Sequence, residues 1–325
     1  MKEIHSHIPK KLKLLAIIFT VVLVFLTFEI PILINSFLIQ FFPEIHPVFN
    51  PDEVQAIIDT LRPIGYFVLV ILFILIILGF LIKSEKISVT SSFLLFLPTF
   101  GNFVMYMFFL AGIGILEFIW LPLDTPFFNF LTLGTIVFIP VYPLSFLSYG
   151  PIGIPQWIFM ITGLYIFTSG VIIWFYGKHQ NKEIIDFSIY KHSRHPQYWG
   201  FLIWSYGLFF QYMSLELGIM PMGRIGLEAS LPWVIFALVT IGVAFIEDIN
   251  MLKKYPEKYK EYCKKTPFLI KLPPKLMIVI TLPMRVIIKK NFPETKKEAL
   301  IVVFVYGAII VILSLPLALL ISAYL

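Results

Sequence analysis

Two short stretches hold most of the side chains in this sequence that can do chemistry. The first is Tyr190-Lys191-His192-Ser193-Arg194-His195-Pro196-Gln197-Tyr198-Trp199-Gly200. Pro196 suits the first turn of a helix, where its missing N–H would be unpaired anyway. The exposed N–H groups and positive dipole end of such a helix favour an anionic group. Arg194 adds a forked donor for a carboxylate or phosphate. Tyr198 lies a turn further in, and Gly200 permits close approach by a ligand or another helix. The second stretch opens with adjacent carboxylates, Glu247-Asp248, and continues as Tyr255-Pro256-Glu257-Lys258-Tyr259-Lys260-Glu261-Tyr262-Cys263-Lys264-Lys265. Pro256 again suits a helix start, and Tyr259 and Tyr262, three apart, share one helical face.

The elements that must carry these residues are apolar. Of 325 residues, 59% are hydrophobic and only 14% charged, an excess no ordinary soluble core can hide. A bilayer-spanning helix needs about 20 mostly apolar residues. The runs Leu12–Ile39, Ile64–Ile82, Phe93–Trp120, Phe127–Leu147, Ile154–Phe175, Leu231–Ile246 and Leu300–Leu325 approach or exceed that length. Phe201–Met213 reaches it only if Pro196–Trp199 join it. Helices satisfy their own backbone in lipid, and the alternation of a membrane barrel is absent. The expected fold class is therefore all-α, a polytopic integral membrane helical bundle of about seven or eight transmembrane helices. Its organisation reads as an N-terminal transmembrane region, 1–153; a core that holds the polar clusters, 154–274; and an interfacial segment followed by a C-terminal span, 275–325. The first apolar run is too long for a signal-peptide core and lacks a small-residue cleavage site, so it is expected to be retained. The single cysteine, Cys263, excludes an intrachain disulfide framework and argues against a multi-cysteine metal site.

Lysine and arginine favour cytoplasmic loops. Basic residues crowd the N-terminal tail, the segments Gly177–His195 and Lys253–Lys275, and Lys289–Lys297, whereas Pro43–Asp59 is acidic. The N-terminus and the later basic segments are expected in the cytoplasm and Pro43–Asp59 outside. If every run before Gly177 crossed, the basic segment after it would face the wrong side. Phe127–Leu147, flanked and interrupted by Pro122, Pro126, Pro140, Pro143, Pro151 and Pro155, is the run expected not to cross, which leaves about seven crossings. The stretch Leu276–Lys290 is expected to lie along the interface with its cations against anionic lipid headgroups. The loop Glu216–Glu228 allows a hairpin turn on the far side. The Arg194–Tyr198 cluster and the Glu247–Tyr262 cluster should therefore meet at one membrane face.

Plainer readings exist for each residue. Tyr255, Tyr259 and Tyr262 suit simple interfacial anchoring, and Arg194 suits a positive-inside determinant. Glu247 and Asp248 suit ion pairs with the lysines that follow. His5, His7 and His46 read as hydrated, and Cys263 as incidental. None of these explains why an arginine, a histidine, two acids and several tyrosines sit at both ends of one hairpin.

Arg194-His195-Pro196-x-Tyr198-x-Gly200, with Trp204-Ser205-x-Gly207 after it, resembles the signature of the isoprenylcysteine carboxyl methyltransferases and the related membrane phospholipid methyltransferases. Glu247-Asp248, Leu252, Glu257, Tyr259, Tyr262 and Pro267 resemble its second half without insertion or deletion. The resemblance covers about Ile154–Pro274. It implies an S-adenosylmethionine-dependent methyltransferase of the membrane, acting on a lipid or lipid-modified acceptor that enters from the bilayer, with the cofactor bound from the cytoplasm. The cofactor-binding set it implies is Tyr190, Arg194, His195, Pro196, Tyr198, Gly200, Glu247, Asp248, Tyr259 and Tyr262. It assigns no catalytic residue and no metal, and nucleic acid is not an expected partner. In that reading His195 and the helix N-terminus hold polar groups of the cofactor. Glu247 or Asp248 accepts from its ammonium or ribose hydroxyls, and tyrosine faces meet the adenine or the sulfonium. The sequence departs from the family pattern in three places. Asp248 stands where a second glutamate is usual, Val243 where the carboxyl methyltransferases carry an acceptor-site arginine, and Pro256 where a glycine is usual. The resemblance thus carries the donor site and not the identity of the acceptor.

Two other readings stand beside it. Sterol reductases share a similar Arg-His-Pro-x-Tyr-x-Gly segment and Tyr-rich end, which would make this an NADPH-dependent membrane enzyme. A non-catalytic transport or scaffold protein is the third, although the apolar runs lack a chain of ionisable groups near mid-membrane, Glu29 apart.

Overall fold

The computed structural model describes residues 9–43, 51–82, 84–103, 110–125, 127–145, 154–218 and 229–324. His5, His7, His46, most of the acidic Pro43–Asp59 loop before its helix, and most of the Glu216–Glu228 loop lie outside them.

Among the described residues the fold is helical throughout, without strands. In chain order the α-helices are α1 (Lys10–Leu38), α2 (Pro51–Leu81), α3 (Glu85–Phe96), α4 (Tyr142–Ser145), α5 (Ile154–His179), α6 (Pro196–Gly218), α7 (Ser230–Lys254), α8 (Pro256–Lys265), α9 (Pro274–Ile287) and α10 (Lys296–Tyr324). Proline opens α2, α6, α8 and α9, where no intrahelical donor is lost. Lys178 and His179, Lys253 and Lys254, and Lys264 and Lys265 close α5, α7 and α8 against the negative end of the helix dipole. Five helices, over Lys10–Leu38, Asp52–Leu81, Ile154–His179, Ser230–Lys254 and Lys296–Leu319, are long and apolar enough to cross a membrane. The chain is therefore a multi-pass membrane protein.

Pro196–Trp199 do join the short run Phe201–Met213, so α6 has 23 residues and rises about 34 Å. The runs Phe93–Trp120 and Phe127–Leu147 behave differently from continuous spans. After α3 the chain tightens into 3-10 helix over Leu97–Phe103 and again over Gly112–Ile119. It does so twice more over Phe130–Thr132 and Thr135–Val141. Pro98, Gly112, Gly114, Pro122 and Pro140 interrupt any longer α-helix. Parts of these segments are packed against protein, whereas Phe130 and Ile139 are exposed. Leu95, Trp120 and Leu131 are buried, and the Trp120 indole donates to the Leu95 carbonyl at 2.9 Å.

The chain divides into two compact units that interleave along the sequence. One comprises Leu26–Gln156, Leu208–Thr240 and Val303–Leu325. In it α2 and α3 form a close hairpin. Gly79 leaves no room for a side chain beside Ser88, whose hydroxyl donates to the Ile76 carbonyl at 2.7 Å. Ser230, at the start of α7, accepts from the Gly134 amide at 3.0 Å and so pins the 3-10 region.

The other unit comprises Met1–Phe25, Trp157–Gly207 and Ile241–Val302 and contains both polar clusters. Within it α1 and α5 run antiparallel. The Thr20 and Thr168 hydroxyls meet at 2.8 Å, and Leu12 packs beside Ile173. Helices α5 and α6 are also antiparallel and approach backbone to backbone through glycines. A Cβ on Gly200 would stand 2.6 Å from the Gly163 carbonyl oxygen, and one on Gly207 2.8 Å from the Phe159 Cβ. Such distances exclude any larger residue without displacement of a helix.

Candidate functional site

The acid pair lies inside a helix. Helix α7 continues past Ile246 to Lys254, so Glu247 and Asp248 project about 100° apart. The Asp248 side chain is 9% exposed and turns into the unit; that of Glu247 is 50% exposed. Two neighbouring carboxylates thereby occupy different environments.

Asp248 is the hub of a buried network. Its Oδ2 accepts from Arg194 Nη1 at 2.6 Å. Its Oδ1 lies 2.8 Å from His195 Nε2 and accepts from the Tyr259 hydroxyl at 2.5 Å. A carboxylate can only accept, so Nε2 is the donating nitrogen of His195. A buried charge persists when it is paired and hydrogen-bonded, as here. Among the described residues the expected ion pairs between this acid pair and the lysines that follow do not form; the partners come from the segment before α6, from α6 itself and from α8.

Arg194 is fixed from several directions, with its side chain 7% exposed. Its backbone N–H donates to the Pro267 carbonyl at 3.0 Å. Its guanidinium lies 5.5 Å from the Phe268 ring and 5.6 Å from that of Phe292 and donates to Cys263 Sγ at 2.8 Å. Its Nε is buried and has no hydrogen-bond partner among the described residues. His195 packs edge-on to Phe268 at 5.1 Å, and its Nδ1 faces Glu247 Oε2 at 3.6 Å. Burial is the largest influence on the His195 ring and favours its neutral form. The carboxylates of Asp248 and Glu247 outweigh it, and the His195 pKa is raised.

The tyrosines divide in the same way. Tyr198, one turn into α6, donates to Glu247 Oε1 at 2.6 Å, at the exposed side of the cluster. Tyr259 and Tyr262 occupy the buried face of α8, so they pack against protein and do not anchor to lipid. The Tyr262 hydroxyl donates to the Tyr190 carbonyl at 2.7 Å, and the Tyr190 hydroxyl donates to the Gly170 carbonyl at 3.3 Å. Together these bonds tie α8 to the segment before α6 and that segment to α5. Burial raises the pKa of Tyr190, Tyr259 and Tyr262, so all three remain neutral donors. Burial also raises that of Cys263, against the pull of Arg194, which keeps it a thiol.

The ten residues singled out from the sequence therefore take distinct positions. Arg194, His195, Tyr198, Glu247, Asp248 and Tyr259 come together directly, with Tyr190 and Tyr262 as struts behind them. Pro196 starts α6, and Gly200 faces the α5 backbone, where helix packing uses its missing side chain. Phe268, Phe292 and Cys263 complete the network, and sequence reasoning did not place them there. Phe268 follows Pro267, already part of the pattern, and was within reach of inference. Nothing in the local sequence marks Phe292, which approaches from beyond α9.

Chemically, the cluster presents a half-exposed carboxylate and a phenol on a buried, hydrogen-bonded base. Comparison of the chain with models of protein families, with curated proteins and with solved structures finds no match.

Proposed function

We propose that this protein is an S-adenosylmethionine-dependent methyltransferase of the membrane, acting on a lipid or lipid-modified acceptor. The observation that carries the reading is the meeting of the two motif segments. The residues that give Arg194–Gly200 and Glu247–Tyr262 their family likeness are hydrogen-bonded to one another at one end of the α6–α7 pair.

The residues present fit the donor. When bound, S-adenosylmethionine supplies a methyl group activated on a sulfonium. Its ammonium and ribose hydroxyls are donors, and the Glu247 carboxylate is the accessible acceptor, held in place by the Tyr198 hydroxyl. Asp248, with three donors already on it, acts from behind by fixing Arg194, His195 and Tyr259. Burial of Tyr259 and Tyr262 leaves Tyr198 as the aromatic face for a cationic group. His195 positions the cluster and balances the charge of Glu247. Closing such a site to water and aligning donor with acceptor supplies most of the acceleration a methyl transfer needs.

The topology consistent with this reading has seven crossings, with the N-terminus and the cofactor site in the cytoplasm. Because α1 and α5 are antiparallel, the chain between them must cross an even number of times. Helix α2 supplies one crossing, and the chain between α2 and α5 must then supply a single net crossing. Helices α5, α6, α7 and α10 add the rest, and α9 lies along the cytoplasmic interface. Under this arrangement the basic segments all fall inside.

The test is calorimetric titration of the detergent-solubilised protein with S-adenosylhomocysteine and, separately, NADPH. Binding of S-adenosylhomocysteine, weakened in Glu247→Gln and in His195→Ala, is the expected result. Binding of NADPH alone would replace the proposal with the reductase reading, and binding of neither with a non-catalytic one. Incubation of lipid extracts with a labelled methyl donor then identifies the acceptor.

A further inference from the structure

The unit that holds the polar cluster contains a cavity of about 470 Å³ between the start of α1, the Tyr165–Ile173 stretch of α5 and the Ser188–His192 segment before α6. We infer that this cavity seats the headgroup and upper acyl chain of an anionic phospholipid from the cytoplasmic leaflet. The inference rests on the multi-pass membrane character of the chain and on the orientation proposed above, and not on methyltransferase chemistry.

The cavity is polar and cationic in part. Lys13, Lys191 and His192 line it, with the hydroxyl-bearing Ser169 and Ser188. No carboxylate lines it, and among the described residues neither Lys13 nor Lys191 takes part in an ion pair. A neighbouring cleft of about 670 Å³ behaves differently. There Lys258 pairs with Glu183 at 2.6 Å and Lys265 with Glu261 at 2.5 Å, so that two of its lysines are already neutralised. Lys191 lines both spaces but pairs with none of the cleft's carboxylates among the described residues, so the charge of Lys13 and Lys191 is left for a ligand. Lysines act as point charges toward phosphate, and serine hydroxyls add hydrogen bonds to its oxygens.

The rest of the lining is largely apolar, with Leu12, Ile172 and Ile173 toward the start of α1 and Ala16 and Tyr165 further along it. From Ile173 to Tyr165 the wall follows α5 for eight residues, a rise of about 12 Å. The headgroup layer of one leaflet is only about 5–8 Å deep. A ligand that fills the cavity therefore begins among headgroups and ends among hydrocarbon. A soluble phosphate needs none of the apolar length, whereas a phospholipid needs all of it. The outer faces beside the cavity are lipid-facing in character, with Leu14, Ile17, Ile18 and Ile161 exposed. A basic pocket between membrane helices on the cytoplasmic side is also where anionic headgroups concentrate.

The experiment uses the full chain in detergent micelles, with lipid binding followed by native mass spectrometry. Phosphatidylglycerol, phosphatidylcholine and inorganic phosphate are the probes. The wild type should retain phosphatidylglycerol in preference to phosphatidylcholine, with no effect of millimolar phosphate. Each lysine near the surface contributes about fivefold, so Lys13→Gln with Lys191→Gln should weaken retention about 25-fold. A second variant, Lys258→Gln with Lys265→Gln, removes the same charge from the neighbouring cleft and should leave retention unchanged. Equal weakening by both pairs would reduce the effect to overall charge and overturn the assignment. So would retention of phosphatidylcholine as strong as that of phosphatidylglycerol. Competition by inorganic phosphate would show a soluble-anion site instead. An Ile172→Trp change, which adds bulk to the cavity wall, should lower lipid retention, and unaltered retention in that variant would also count against the seat.

Discussion

Glu247 and Asp248 are adjacent acids, and the structure separates their roles sharply enough to test by one pair of substitutions. Asp248→Asn removes the charge from a carboxylate that is 9% exposed and paired at 2.6 Å with an arginine that is 7% exposed. The amide can still accept from His195 or Tyr259 through its oxygen, but its nitrogen would then point a donor at Arg194 Nη1. Breaking a buried pair by removal of one partner costs about 3–5 kcal/mol, because the remaining charge is left uncompensated. Glu247→Gln changes a side chain that is 50% exposed and keeps an acceptor for the Tyr198 hydroxyl. A half-exposed interaction of this kind is worth about 1 kcal/mol or less. The assay is reversible unfolding of the detergent-solubilised protein, followed by tryptophan fluorescence, together with S-adenosylhomocysteine titration of each folded variant. Asp248→Asn should be the less stable by several kcal/mol, and Glu247→Gln should unfold within about 1 kcal/mol of wild type. Yet Glu247→Gln should be the variant that loses affinity for the ligand. Equal stability of the two variants would refute the burial argument. Full ligand affinity in Glu247→Gln would refute the assignment of the exposed acid to the binding face.

Three further outcomes follow from the same geometry. The raised pKa of His195 means that its contribution to stability is fully present below its unfolded value of about 6.5 and is lost as pH rises through the folded value. The stability difference between wild type and His195→Gln should therefore shrink as pH is taken from 6 upward, and a difference that grows with pH would contradict the two-carboxylate environment. Gly200→Ala places a methyl group 2.6 Å from the Gly163 carbonyl oxygen, and overpacking of this kind should cost about 1–3 kcal/mol in the same unfolding assay. Cys263, buried enough to raise its pKa, should react with iodoacetamide at pH 8 more slowly than an unperturbed thiol, with the rate restored on unfolding.

How much of this was legible in the sequence depended on distance along the chain. Prolines at 196 and 256 marked helix starts correctly, because the cause, a missing N–H, is local. Hydropathy located the long helices for the same reason. It failed to foresee the 3-10 segments within Phe93–Trp120, because their stability comes from burial against other elements and not from their own periodicity. The candidate site shows both behaviours at once. That Arg194, His195 and the acid pair would meet followed from the hairpin connectivity. That Asp248 rather than Glu247 would turn inward did not, since either acid can face the core and only the position of α7 against its neighbours decides. A helix turns about 100° per residue, so a pair of adjacent acids at a helix packed on one side must place one carboxylate nearer the core than the other. The inward one needs cations and donors to remain charged, and Arg194, His195 and Tyr259 supply them. The outward one stays available. Adjacency in the sequence thus yields a fixed buried charge and an accessible charge about one residue apart, an arrangement two acids four residues apart on one face would not give.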